Sequence, residues 1–198
     1  TNDPGNGNCD AAECTLREAL IAANANGASK DTINFNIPGD TTHVITLSAA
    51  LQAVTQPVIL NGLSEPGAAC DAWPFTLRII LNGSGLGGGT TGLKLTAANV
   101  EVRGLVIQRF PSHGVEIDSN GNTLACNYIG TSSSGGGTNF GNGGMGVYIN
   151  NGGANTLDRN LISGNGSFGV YIGGANAGDN TLRGNRIGTV AGGASALA

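Results

Sequence analysis

Asn155-Thr156-Leu157-Asp158-Arg159-Asn160-Leu161-Ile162-Ser163 decides the fold, because it has a counterpart on either side. Upstream stands Asn122-Thr123-Leu124 with Asn127 and Ile129; downstream stands Asn180-Thr181-Leu182 with Asn185 and Ile187. A Gly-apolar-x-apolar segment precedes each copy: Gly114-Val115-Glu116-Ile117, Gly146-Val147-Tyr148-Ile149 and Gly169-Val170-Tyr171-Ile172. Gly92-Leu93-Lys94-Leu95 has the same form, and the successive glycines are 22, 32 and 23 residues apart. A period in the low twenties, built from period-two strands punctuated by Gly and Asn, is the mark of a parallel β-solenoid.

The repeat has a physical reading. Leu124, Leu157 and Leu182 stack inward as one row, Ile129, Ile162 and Ile187 as a second, and Val115, Val147 and Val170 as a third. Each such burial contributes about 1.5–3 kcal/mol. Asn127, Asn160 and Asn185 fall at a bend between two strands, where Asn tolerates the left-handed backbone of a sharp corner. Their amides can bond from coil to coil as an asparagine ladder, so their role is structural. Between Ile129 and Gly146 the connection carries a ten-residue insertion within 131–143, rich in Ser, Gly and Asn. In solenoids such insertions emerge on one face, often the binding face; this composition fits a spacer loop equally well.

Upstream the pattern loosens. Ile33, Phe35 and Ile37 alternate until Pro38-Gly39. Val44–Leu47, Pro57–Leu60 and Leu77, Ile79, Leu81 follow, and Val100, Val102, Leu105 and Ile107 form a first irregular copy in which Leu105 stands where Asn127 stands later. Before them, Thr15-Leu16-Arg17-Glu18 reads as a capping box opening a helix, with Leu16, Ala19, Leu20 and Ala23 at helical spacing and Asn24, Asn26 and Gly27 ending it. The first coil of a solenoid exposes core and strand edges, so this helix is expected to lie across that end as a cap. The chain thus divides into a turn segment and capping helix over 1–31 and parallel β-helix coils over 32–198. Arg186-Ile187-Gly188-Thr189 begins a further turn without its Gly-Val-x-Ile strand, which reads as a fragment of a longer protein.

Composition narrows the function. The 198 residues include 35 glycines without a Gly-X-Y period, charged residues are 11%, and net charge is −4. With no basic run, nucleic acid is not an expected partner. No run approaches the roughly 18 apolar residues of a membrane span. Thr1 opens a polar, turn-rich segment, as a processed mature chain does. The four cysteines, Cys9, Cys14, Cys70 and Cys126, allow three pairings. Closeness around a turn favours Cys9 with Cys14. Cys70 and Cys126 would then pair, but their separation spans about two coils at about 4.8 Å each, near the limit of reach unless a loop brings Cys70 over. Disulfides imply export. The close thiol or imidazole pairs of a zinc site are missing from the sequence.

Cys14-Thr15-Leu16-Arg17-Glu18-Ala19-Leu20, followed by Ala22-Ala23-Asn24-Ala25-Asn26, resembles the "CSLREAI" motif segment of bacterial exported proteins. Thr15 and Leu20 replace the Ser and Ile of that motif. Gly104-Leu105-Val106-Ile107, Asn127–Thr131 and Asn160–Asn165 also look like that family's coils. The resemblance implies an all-β fold, a single right-handed parallel β-helix with a short N-terminal capping α-helix, in a secreted or cell-surface protein. It carries no catalytic residues.

Lyases of such folds combine acidic Ca²⁺ ligands with a basic residue, and hydrolases need converging carboxylates. The best carboxylate group here is Glu116 and Asp118, two apart and both outward, with Glu101 and Arg103 expected on the neighbouring strand and His113 just before. If the chain is an enzyme, Glu101, Arg103, Glu116 and Asp118 are its candidates; the plainer reading is cross-strand pairing. Asp158 and Arg183 are expected to pair likewise. An outward row runs Lys94, Glu116, Tyr148, Tyr171, and the two tyrosines are candidate sugar-binding residues or a stabilising ladder. Gly-Gly-x-Gly-x-Asp calcium repeats and Thr-x-Thr ladders do not occur; Asn82-Gly83-Ser84 and Asn165-Gly166-Ser167 are formal glycosylation acceptors. The expectation is a non-enzymatic extracellular module for adhesion, spacing or assembly on a bacterial surface, calling for no cofactor or metal. Its partners would be polysaccharides, other surface proteins or, end to end, further copies of itself. The alternative is a carbohydrate-active enzyme or carbohydrate-binding module.

Overall fold

In a computed structural model, residues 5–10, 13–27 and 29–197 are described. Thr1, read above as a processed start, and the outer limits of the two segments, Thr1 and Ala198, lie outside them. Helix α1 (Leu16–Ala25) comes first. The strands then follow as β1 (Asp31–Asn34), β2 (His43–Thr46), β3 (Val58–Asn61), β4 (Ile79–Asn82), β5 (Leu93–Leu95), β6 (Glu101–Arg103), β7 (Leu105–Gln108) and β8 (Val115–Ile117). They continue as β9 (Thr123–Ala125), β10 (Tyr128–Ile129), β11 (Val147–Asn150), β12 (Thr156–Asp158), β13 (Leu161–Ile162), β14 (Val170–Gly173), β15 (Thr181–Arg183) and β16 (Arg186–Ile187).

Each strand pairs in parallel with the equivalent strand one coil away, which generates three sheets. Sheet I holds β1-β3-β6-β9-β12-β15, sheet II holds β2-β4-β7-β10-β13-β16, and sheet III holds β5-β8-β11-β14. The result is a right-handed parallel β-helix. Register stacks like on like: Leu60, Val102, Leu124, Leu157 and Leu182 form the inward row of sheet I. Leu81, Ile107, Ile129, Ile162 and Ile187 do so in sheet II. Sheet III contributes Leu93, Val115, Val147 and Val170. The repeat's glycine is a packing requirement. A Cβ on Gly114 would meet the Gly146 carbonyl at 2.7 Å, and one on Gly146 would meet that of Gly169 at 2.6 Å.

The corners use a division of labour the sequence hid. The left-handed residue is the one before each asparagine, not the asparagine itself: Cys126 (φ 55°), Arg159 (φ 51°) and Gly184 (φ 63°) precede Asn127, Asn160 and Asn185. The asparagines satisfy the turn instead. Asn127 Nδ2 donates to Asn160 Oδ1 and Asn160 Nδ2 to Asn185 Oδ1, each at 3.0 Å. The same oxygens accept the Asn127 and Asn160 backbone amides. Asn160 Nδ2 also reaches the Leu124 carbonyl, so its buried amide is saturated. Two further columns do the same work: Asn122 donates to Asn155 at 3.0 Å and Asn142 to Asn165 at 2.9 Å.

Helix α1 closes the first coil. Leu16, Leu20 and Ala23 enter the same core as Phe35, Ile45 and Leu60. Thr15 Oγ1 accepts the Glu18 amide and Glu18 Oε2 accepts the Thr15 amide, so the capping box is formed. The Thr15 backbone donor, joined by the Thr15 hydroxyl and the Gly7 and Asn6 amides, holds the Glu18 carboxyl below the ordinary glutamate range.

A second core lies outside the coil. The outward row of sheet II is apolar: Ile80, Val106, Tyr128 and Leu161. Segment 62–78 leaves the coil after β3 and lies over this row through Phe75 and Leu77. The Cys70–Cys126 disulfide pins it, so a loop does bring Cys70 over; Cys9–Cys14 is the other bond. Arg159 Nη1 donates to the Cys70 carbonyl at 3.0 Å, and the Arg186 guanidinium sits 4.5 Å over the Trp73 ring. The insertion at 131–143 packs down too: Arg109 lies 4.6 Å from the centre of the Phe140 ring and the Arg109 amide donates to the Phe140 carbonyl.

Candidate functional site

The four residues named as enzyme candidates are divided between two faces. β6, with Glu101 and Arg103, belongs to sheet I between β3 and β9. β8, with Glu116, belongs to sheet III between β5 and β11, and Asp118 follows it. Neighbouring strands along the chain turn a corner into different sheets, while neighbours in space come from the next coil. That geometry corrects the expectation that Glu101 and Arg103 sit beside Glu116. Glu101 pairs with Arg103 at 3.0 Å, and Arg103 Nε donates to Asn61 Oδ1 at 2.8 Å. Lys94 Nζ lies 2.9 Å from both Glu116 Oε1 and Asp118 Oδ2. The hydrogen bond to Glu116, then that to Asp118, raises the Lys94 ammonium above the usual lysine range. Asp158 and Arg183 are in register and 3.2 Å apart.

Sheet III carries the other candidates. Lys94, Glu116, Tyr148 and Tyr171 occupy one outward row, each in register with the next. The charged end of the row lies at β5 and β8, the aromatic end at β11 and β14. Tyr148 packs between two rings: His113 with centroids 5.3 Å apart and Tyr171 at 5.6 Å, each tilted by 60°. The Met145 amide donates to His113 Nδ1 at 3.0 Å, which fixes the imidazole against Tyr148. Beyond Tyr171 comes Phe168, 5.9 Å away and tilted by only 33°.

These tilts rank the rings. Tyr148 is half-buried and inclined by 60° to both of its neighbours. Tyr171 and Phe168 lie nearer to parallel and are 42% and 59% exposed on the last coil, where the inward Ile172 and Leu182 are exposed as well. Phe168 escaped the sequence reading because it falls in the turn before Gly169 rather than on a strand. The signal was its place: His113, Met145 and Phe168 each immediately precede the repeat glycine.

Elsewhere the openings are poor in chemistry. A cavity of about 610 Å³ between α1 and β1 is lined by Ala19, Ala22, Ile33 and Asp31, whose carboxylate is held by Asn26 Nδ2 at 2.9 and 3.1 Å. Among the described residues no group of three His, Cys, Asp or Glu is placed to hold a metal, and no helix is long and apolar enough to cross a membrane.

A family model described as "Right handed beta helix region" matches residues 91–196, more than half of the chain. No curated protein and no solved structure matches.

Proposed function

We infer that this chain, which belongs to the right-handed β-helix family, acts as a non-enzymatic extracellular module for adhesion and spacing, with the outer face of sheet III as its contact surface. The observation that carries the reading is the aromatic strip of His113, Tyr148, Tyr171 and Phe168 along sheet III. Flat aromatic surface with a polar rim suits the apolar face of a sugar ring. Two further features support it. The acidic side chains of the sheet I and sheet III candidates each face a cation, which leaves them in ion pairs rather than as an opposed acid and base. The two disulfides suit an oxidising compartment, and the resemblance of Cys14–Leu20 to the capping segment of bacterial exported proteins suits a bacterial surface.

Polysaccharide sizing tests the reading. The purified chain is incubated with acidic and neutral polysaccharides, with and without Ca²⁺, and followed by size-exclusion chromatography. Polymer of unchanged length that carries the protein with it is the expected result. Shortened polymer would overturn the non-enzymatic reading and return attention to Glu101, Arg103, Glu116 and Asp118.

A further inference from the structure

We propose that the sheet III face selects uncharged, hydroxyl-rich glycans and rejects uronate polymers; the inference rests on the reading that this face binds sugar. The argument is one of charge and of hydrogen-bond supply. Along the row, the aromatic end offers C–H stacking surface, and the neighbouring end offers Glu116 and Asp118. Between them these carboxylates carry two negative charges against the single positive charge of Lys94. Lys94 is engaged by both at 2.9 Å, so its single positive charge is already outweighed by the two carboxylates it meets. The imidazole beside Tyr148 is turned inward on its Nδ1, which accepts the Met145 amide.

Asp118 Oδ1 is buried without a hydrogen-bond partner and Oδ2 meets Lys94, so the cation beside this carboxylate is one it already shares with Glu116. A neutral sugar adds no charge to this excess, whereas a uronate carboxylate is repelled by it. The remaining outward positions of the row are tyrosines, which donate and accept without net charge. A neutral chain laid along the helix axis would stack on Phe168 and Tyr171 and pass its hydroxyls toward Glu116 and Asp118. A uronate in the same place would set like charges a few ångströms apart, where the interaction is unfavourable even near water.

The test measures retention of neutral and charged oligosaccharides of equal length on the whole chain: cellohexaose and maltohexaose against hexagalacturonate and an alginate hexamer. At about 0.05 M salt the neutral set is retained, and the uronates at least about fivefold more weakly. Raising salt to about 1 M, where the screening length is near 3 Å, narrows that gap. Replacing Glu116→Gln together with Asp118→Asn frees Lys94 and leaves the face positive, so uronate retention rises several-fold; thermal unfolding of the variant checks that it is folded. Uronates bound as well as neutral sugars by the unaltered chain would overturn the selectivity and leave the binding role standing. A gap untouched by salt and by the double replacement would overturn the charge argument. Retention of neither set would overturn the binding role itself, and the selectivity with it.

Discussion

Tyr128 and Tyr171 occupy outward rows of neighbouring sheets and have opposite fates. Tyr128 is 0% exposed, stacked with Trp73 and Phe75 beneath segment 62–78, and its hydroxyl accepts the Phe75 amide at 2.6 Å. Tyr171 is 42% exposed, with Tyr148 and Phe168 beside it. Pointing outward from a solenoid therefore does not mean facing water. Sheet II has been given a second core by a disulfide-pinned excursion, and sheet III has been left as open surface. One face contributes stability; the other is available for contact.

Replacing the two tyrosines tests that contrast most severely. Tyr128→Ala should cost about 3–5 kcal/mol, as for large aromatic truncations in a core, read as the shift in a denaturant midpoint. Only a small loss there would mean that segment 62–78 merely rests on the sheet. Next in size is the pin itself. Cys70→Ser with Cys126→Ser opens a loop of separation 56, so the loss should be about 2–4 kcal/mol. Dye binding should rise as the row Ile80-Val106-Tyr128-Leu161 is uncovered. The inner ladder comes third: Asn160→Ala removes the acceptor of the Asn127 amide and should cost about 1–3 kcal/mol, compared by thermal unfolding with Asn176→Ala on the surface.

Alkaline titration sharpens the contrast further. Burial is the main cause that raises the Tyr128 phenol above the ordinary tyrosine range, against the opposing pull of the Phe75 hydrogen bond and the Arg186 charge. The unfolded chain thus releases this proton first as pH climbs through about 10. Stability present below that pH falls above it, and Tyr128→Phe should flatten the fall. The smallest effect on stability belongs to Tyr171→Ala, within about 0.5 kcal/mol for an exposed position. The same replacement should abolish most glycan retention, and retention unchanged in Tyr171→Ala with Phe168→Ala would remove the strip from consideration.

How far the site was legible follows from particular residues. The rows of Leu124, Ile129 and Val115 were readable because period two and a fixed repeat force like residues into register. The alignment of Lys94, Glu116, Tyr148 and Tyr171 followed from the same arithmetic. The helix cap was readable from Thr15 and Glu18 alone. Glu101 and Arg103 were misplaced because periodicity along the chain does not say at which corner a strand leaves its sheet. Phe168 was passed over because turn residues lie outside any strand pattern. The corner asparagines were credited with the left-handed backbone that Cys126 and Arg159 adopt, since residue preference cannot separate two adjacent positions.

Local pattern thus determined the β-helix, its inward rows, its coil-to-coil asparagine amides and its capping helix, because each depends on spacings of a few residues or one repeat. Only the tertiary structure decided which outward row is roofed by 62–78, that Glu101 and Arg103 stand on a different sheet from Glu116, and where Phe168 joins the aromatic strip. Those outcomes depend on where irregular segments land, and an excursion such as 62–78 carries no period from which its landing could be read.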